Sequence, residues 1–570
     1  MLKFFQKIAK QVNKFNTFIN DYKSVGKEVS LPSHAYVNWG MQLIDSGNEK
    51  EALEKFELSA NMVNSTPDAY VNLGIVCAKK AKFEEAIEFF KKAIRIDDSC
   101  AKAWALLGSA YGEVGNIKEA KRAFRISIKY DARSFQTYLN RGIFFAKIGE
   151  VQNALDSFKN AYAYNPMEPQ SVFLSGVLYS QMKEYNEAIK KFKLVISTSP
   201  FHAEALYHLA FCYYQVRNFE LSLNYAKKSR SASPTKIENY IIIAESYMAQ
   251  KDKENCLKTY DEALKAGLIS YQLLYSYGIA LQAFDMWEEA VEKLKKASEL
   301  DDTNFSVHYA LSLSYLKTDS KEDAYRELKR TLELNPSHTI SLYNLGQLYL
   351  KDGKYDEAIE LYKKAISADA KLTHVYFNIA NAYHLKGDMQ KAVKYWEKTV
   401  EYDKNNTGAL LNLANAYSSM GDGALALRKA RSAYMTDKKN PDIIMAYGII
   451  LLRENSVYDA REKFEEALEI KPDLMVARFA LIECLIKTNK PKEAMSELEK
   501  YKEEHGSKKE FMMLNLLAYL KIEEMEQNDY LIDQITGICD KILYTCGEDA
   551  WVQKVKEEYQ KKHDNKDSEG

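Results

Sequence analysis

The sequence predicts an all-α fold, a solenoid of helix-turn-helix units stacked in register, and three series of residues predict it. Gly40, Gly74, Gly108, Gly142, Gly176, Ala210, Ala244, Gly278, Ser312, Gly346, Ala380, Ala414, Gly448 and Ile482 recur every 34 positions without a slip. A second series follows 12 residues later, from Ala52, Ala86 and Ala120 to Ala460 and Ala494, with Ser222 and Cys256 as its departures from alanine. Bulky side chains stand 16 residues after the first series: Phe56, Phe90, Phe124, Phe158, Phe192, Tyr362, Trp396 and Phe464. A fixed period of this length marks an array whose units bury their apolar faces only against neighbours.

Each unit reads as two amphipathic helices, as in Tyr70, Leu73, Gly74 and Cys77 followed by Phe83, Ala86, Ile87, Phe90 and Ala93. The small residues let the helices approach, and the bulky residue covers the ridge they leave. Breaks within units are short and polar. Gly115-Asn116, Gly149-Glu150, Gly353-Lys354, Gly387-Asp388 and Gly421-Asp422 have the residue types that end one helix and start the next. Prolines such as Pro67, Pro166, Pro200, Pro234, Pro336, Pro441 and Pro472 punctuate the joins between units, and Pro491 opens a second helix. Ala226 and Ala430 replace the bulky residue, and the Ala210 and Ala244 units also exchange the second alanine for Ser222 and Cys256. Looser packing or a bend is expected there.

The array is predicted over residues 33–508 of 570, as about 14 tandem units. Residues 509–560, with Leu514, Leu516, Leu517 and Tyr519 on one more first-type helix, read as a C-terminal helical cap, and the charged run 561–570 as a disordered tail. In residues 1–30, Phe4, Ile8, Val12, Phe15, Ile19 and Tyr22 form an apolar stripe flanked by Lys3, Lys7, Lys10 and Lys14. Such a basic amphipathic helix caps the first repeat or contacts a membrane or partner, and the cap is favoured because an open array end needs cover.

Lys plus Arg (79) nearly balances Asp plus Glu (80), so a net charge of −1 argues against nucleic acid or an acidic bilayer as default partner. The seven cysteines are scattered and sit mostly at packing positions, which predicts reduced, buried thiols and a cytoplasmic location. No secretory signal is read in the first thirty residues. The longest apolar run, Ile443 to Leu452, falls well short of the ~20 residues a membrane span needs.

The units resemble tetratricopeptide repeats. A bulky residue, Leu-Gly, Tyr, Ala and an aromatic appear in order in Trp104, Leu107, Gly108, Tyr111, Ala120 and Phe124, and again in Leu342, Leu345, Gly346, Tyr349, Ala358, Tyr362 and Ala365. The resemblance implies a right-handed superhelix of helical hairpins whose first helices line a concave groove, commonly a binding site for extended peptides or partner helices. It does not identify the partner, since one fold hosts many functions.

Candidate binding residues lie on the first helices. Asn38, Asn72, Asn140, Asn344, Asn378 and Asn412 stand two residues before the small series, and Asn381 and Asn415 extend the row by one helical turn. An amide both donates and accepts, which suits an extended peptide backbone. The doubled row resembles the asparagine ladders of the repeat domain in O-linked N-acetylglucosamine transferases. The family's co-chaperone modules instead grip a terminal carboxylate with a Lys- and Asn-based clamp. Here Val37, Val71, Leu139, Tyr343, Phe377 and Leu411 occupy the clamp's first lysine position, so no carboxylate clamp is expected.

The groove around residues 340–420 is predicted to be lined by Tyr343, His374, Tyr376, Phe377 and His384 together with Asn344, Asn378, Asn381, Asn412 and Asn415. An uncharged extended segment suits that lining. Neither the pair His374 and His384 nor the pair Cys539 and Cys546 has further ligands at metal-site spacing, and no nucleophile or phosphate-loop motif is present. No cofactor, metal or catalytic function is predicted. The expected function is a scaffold that binds a protein partner through a peptide or helix. The alternatives are a membrane-associated assembly factor anchored by residues 1–28 and, more weakly, a regulatory subunit of a glycosyltransferase.

Overall fold

The computed structural model describes residues 32–62, 65–526 and 531–567, and the regular structure among them is helical, without a strand. The N-terminal segment predicted as a basic amphipathic helix lies outside the described residues. The chain divides into two units, residues 1–286 and 287–570, each an α-solenoid of tandem helix pairs. The division falls in the turn between Tyr271–Ala283 and Trp287–Leu300, the two helices of one repeat.

In the first unit, Ser33–Asp45 pairs with Glu49–Ala60, Pro67–Lys79 with Phe83–Ile96, and so on to Ile237–Ala249 with Lys253–Lys265. In the second, Phe305–Lys317 pairs with Lys321–Leu334, and the pattern continues to Met475–Lys487 with Pro491–Glu499. Pro67, Pro441 and Pro491 each open a helix, where the missing amide hydrogen has no intrahelical partner to lose.

The turns inside the repeats share one geometry. At the position seven residues after each member of the small series, φ is positive, between 57° and 87°, from residue 47 to residue 489. Six of these positions are glycine: Gly47, Gly115, Gly149, Gly353, Gly387 and Gly421. The others are Ala81, Lys183, Arg217, Lys251, Asp285, Asp319, Asn455 and Asn489, which occupy a left-handed conformation that disfavours a Cβ. The next residue's N–H reaches back five residues, as in Asn116 to the Tyr111 carbonyl and Asp252 to the Tyr247 carbonyl, both at 2.9 Å. This bond satisfies a carbonyl the helix end would otherwise leave open. Asn48, Asn116, Asn218, Asp252, Asp388 and Asp422 then cap the second helix by accepting from its backbone N–H groups.

The seam between paired helices is closed by the predicted small and bulky residues. A Cβ placed on Gly176 would stand 2.7 Å from the ring of Phe192, and one on Gly448 would stand 2.7 Å from Phe464. Phe56, Phe90, Phe124, Phe158, Phe192, Tyr362, Trp396 and Phe464 are all essentially fully buried, each side chain worth about 1.5–3 kcal/mol in apolar burial. The Ala210 repeat is closed differently. Ala226 is fully buried, Ser222 and Ser246 hydrogen-bond through their hydroxyls at 3.0 Å, and Tyr225 stacks on Tyr213 with centroids 5.6 Å apart. The aromatic of this repeat thus stands one residue earlier than in its neighbours, half-buried at Tyr225, and the serine pair ties the repeat to the next one.

Beyond the last repeat, Lys509–Glu526, Ile532–Cys546 and Ala550–Asp567 enclose a small core of Met512, Leu516, Ile535, Cys539, Ile542 and Val552. The stretch read as a disordered tail from Lys561 is instead helical as far as Asp567. Glu523 anchors this helix, accepting from the Tyr559 hydroxyl at 2.8 Å and from Lys562 Nζ at 3.2 Å. All seven cysteines are free, five of them buried, with Cys100 and Cys546 partly so. Burial pushes the Cys212 and Cys539 thiols up to about 11 and those of Cys256 and Cys484 up to about 12.

Candidate functional site

The predicted groove residues sit on Thr339–Lys351, Thr373–Leu385 and Thr407–Ser419, the first helices of three consecutive repeats in the second unit. Each helix turns Leu345 and Gly346, Ile379 and Ala380, or Leu413 and Ala414 into the seam. At a rotation of ~100° per residue, the positions two and three residues earlier and one residue later then lie away from it. Tyr343, Asn344, Phe377, Asn378, Asn381 and Asn412 are half-buried, while His374, His384 and Asn415 are exposed.

The aromatics are held in place by their neighbours. The Tyr343 ring meets His374 edge-on, with centroids 4.9 Å apart, and its hydroxyl accepts from Gln347 Nε2 at 3.0 Å. Phe377 lies over Gly408, where a Cβ would meet its ring at 3.3 Å, so the glycine makes room for it. His384 packs beside Trp396, centroids 5.6 Å apart. Tyr376 does not belong to the lining. It is a core residue, 6% exposed and stacked on Tyr402 at 5.3 Å, because it precedes the outward Phe377 by about 100° of helix.

The asparagines are not equivalent. Asn381 Oδ1 accepts from the Trp396 indole N–H at 3.0 Å and from Asn412 Nδ2 at 3.4 Å, which ties adjacent repeats together. Asn415 donates to the Leu411 carbonyl at 3.1 Å and accepts from Arg453 at 3.0 Å. Asn344 stands beside the Tyr309 hydroxyl, a phenol that burial pushes up and this amide draws partly back. Asn378 has no hydrogen-bond partner among the described residues. Asn378 is thus the open amide of the row, with Asn344 on one side and Asn412 on the other.

The register three residues before the small series carries a further pattern that the asparagine row conceals. In the first unit it holds Phe173, Tyr207, Ile241 and Tyr275, all half-buried, and in the second Tyr309, Tyr343 and Phe377. The signal was present in the spacing, as large side chains recurring every 34 residues, aromatic at each of these positions but Ile241. At the same register in the earliest repeats, Val37, Val71 and Leu139 are buried in the core.

His308 is a second buried polar feature of the second unit. Its Nδ1 lies 2.7 Å from Glu327 Oε2 and its Nε2 3.2 Å from the Asp302 carbonyl. The hydrogen bond to Glu327 raises its affinity for a proton. Its neighbours are structural ion pairs, Arg330 with Asp302 at 2.5 Å and Arg326 with Glu327 at 3.3 Å. Among the described residues, no group of His, Cys, Asp and Glu side chains is arranged to hold a metal ion, and no helix is long and apolar enough to cross a membrane.

Stacked helical pairs with glycine–aromatic seams and an amide- and aromatic-lined set of first helices define a helical-repeat protein of the recognition type. Sequence profiles described as "tetratricopeptide repeat" match residues 67–100, 106–172, 169–202, 309–372, 373–406 and 451–511, and the chain belongs to that family. No curated protein matches in a sequence search. Among solved structures, the MamA protein is 30% identical over 30% of this chain and 94% of its own, with a TM-score of 0.29. YrrB, described as a TPR protein with an unusual peptide-binding site, is 21% identical over 33% of this chain and 96% of its own, TM-score 0.29. The Cut9–Hcn1 hetero-tetramer of the APC/C is 12% identical over 80% of this chain and 97% of its own, TM-score 0.35.

Proposed function

We propose that the chain is a protein-interaction scaffold that holds an extended segment of a partner protein against the first helices between residues 340 and 420. Asn378 carries this reading. It is a half-buried amide with no hydrogen-bond partner among the described residues, next in the chain to Phe377 and one repeat on from Tyr343 and Asn344. A side chain that can donate and accept at once pairs with a peptide unit, and flanking rings supply apolar area at small entropic cost. Asn381 and Asn415 are already engaged within the array, so they set the shape of the surface while Asn378, and Asn344 through the capacity its Tyr309 contact leaves, meet the guest.

Affinity capture with crosslinking tests it. The expected result is partner peptides crosslinked within residues 340–420. Asn344→Ala with Asn378→Ala should weaken capture about 10- to 30-fold, from two hydrogen bonds of about 1 kcal/mol each. Melting should fall by no more than the Asn344–Tyr309 contact is worth, about 1 kcal/mol, because neither amide fills the seam. Undiminished capture by the double variant sinks the site.

A further inference from the structure

We propose that Glu245 receives the basic side chain, lysine or arginine, of an extended partner segment on the first-helix face of the first unit. This rests on the first helices being the recognition face, but not on the asparagine row of the second unit.

Glu245 lies on Ile237–Ala249, one residue after Ala244 of the small series. The same position in the flanking repeats is apolar: Val177, Phe211 and Ile279. The field around it is aromatic as well, with Phe173, Tyr207 and Tyr275 in the neighbouring register. One carboxylate thus stands alone in an apolar column. It makes no ion pair or hydrogen bond among the described residues, and burial alone raises its proton affinity. An uncompensated half-buried charge costs stability. Unpaired, it is the kind of costly feature retained for function.

Its surroundings are negative and already show how a cation fits. Glu204, Glu238 and Glu245 all act on the Tyr207 hydroxyl, which burial first and these carboxylates next push up to about 12. Lys236 is the internal cation here: its Nζ is 2.7 Å from Glu204 and 4.3 Å from the centre of the Tyr207 ring. That pair consumes Glu204 and leaves Glu245 unmatched. The Tyr260 hydroxyl feels the same charge. It is fully buried with no hydrogen-bond partner, and Glu245 is the strongest charge acting on it. A lysine or arginine head placed at Glu245 would complete the ion pair, with its aliphatic stem lying along the tyrosine rings. A desolvated pair of this kind fixes the register of a guest more than it adds affinity.

Selection of displayed random dodecapeptides on the full chain tests this. The wild type should recover peptides with Lys or Arg at one fixed position among apolar residues, and Glu245→Gln should lose that preference. In the best recovered peptide, norleucine at the basic position should lower affinity at least 10-fold on the wild type and under twofold on Glu245→Gln. Glu245→Gln should melt at or above the wild-type temperature, which separates loss of recognition from loss of fold. Asn344→Ala with Asn378→Ala should keep the basic preference, so this site and the amide row fail separately. Recovery of no peptide, no basic preference on the wild type, the same preference on Glu245→Gln, or a lowered melting temperature for that variant would overturn the assignment.

Discussion

The Gly176 and Ala210 repeats are adjacent and share one register, yet they close their seams in opposite ways. In the first, a missing side chain on one helix receives a whole ring from the other, Phe192 lying where any Cβ on Gly176 would intrude. In the second, two alanines meet, the ring is Tyr225, displaced one residue along the helix and stacked on Tyr213, and Ser222 hydrogen-bonds to Ser246 of the following repeat. What the array holds constant is seam closure, whichever residues supply the volume. That is why alanine-for-aromatic exchanges do not interrupt the stack.

Substitutions at these two seams give the largest expected effect. Phe192→Ala should destabilise its repeat by about 3–5 kcal/mol, the usual cost of an emptied aromatic site. Gly176→Ala should cost about 1–3 kcal/mol by overpacking against the ring, whereas Ala210→Gly should cost only about 1 kcal/mol through helix propensity. Hydrogen exchange resolved by repeat measures all three. Equal losses for Gly176→Ala and Ala210→Gly would break the contrast between the seams.

The turns sharpen it at smaller scale. Lys183→Gly and Lys251→Gly relieve a left-handed Cβ and should each gain about 0.5–1 kcal/mol, while Gly149→Ala, with open space around it, should lose about 1 kcal/mol from backbone strain alone. Urea midpoints of the single variants check this, and a loss on introducing glycine contradicts it.

The smallest effect is on pH, and it has opposite signs in the two units. The Glu327 hydrogen bond raises the folded value of His308, so its stabilisation is full below the unfolded value of about 6.5 and fades as pH rises through the folded value. Burial lowers the folded value of His208, so its contribution is full above the unfolded value and is lost as pH falls through the folded one. The melting deficit of His308→Gln should therefore shrink from pH 6 to pH 8, and that of His208→Gln from pH 8 to pH 5. Parallel trends in the two variants refute the assignment.

The repeat architecture was legible because the seam imposes its chemistry every 34 residues, as Gly74 with Phe90 illustrates. The turns were half legible. Gly115 or Gly387 announces a left-handed residue, but Lys183, Arg217 and Lys251 adopt the same conformation under compulsion from the flanking helices and carry no local signal. The helical end beyond Lys561 was hidden because its anchor, Glu523, lies on another helix. The site was legible as a surface and not as a set of roles. Nothing in the spacing distinguishes Asn378 from Asn381, since the difference is the Trp396 indole that comes into reach only when the hairpin closes. Glu245 was visible as an acid in an apolar column, but one carboxylate among 80 acidic residues stands out only once the column is known.

The buried thiols have a practical consequence. Cys212, Cys256, Cys484 and Cys539 lie in four different hairpins and are held as unreactive neutral sulfhydryls. Each can be alkylated only while its own hairpin is transiently ajar, so the labelling rate at each sulfur is a clock for local breathing. Read together by mass spectrometry, the four clocks would report where along the array a bound guest tightens the stack.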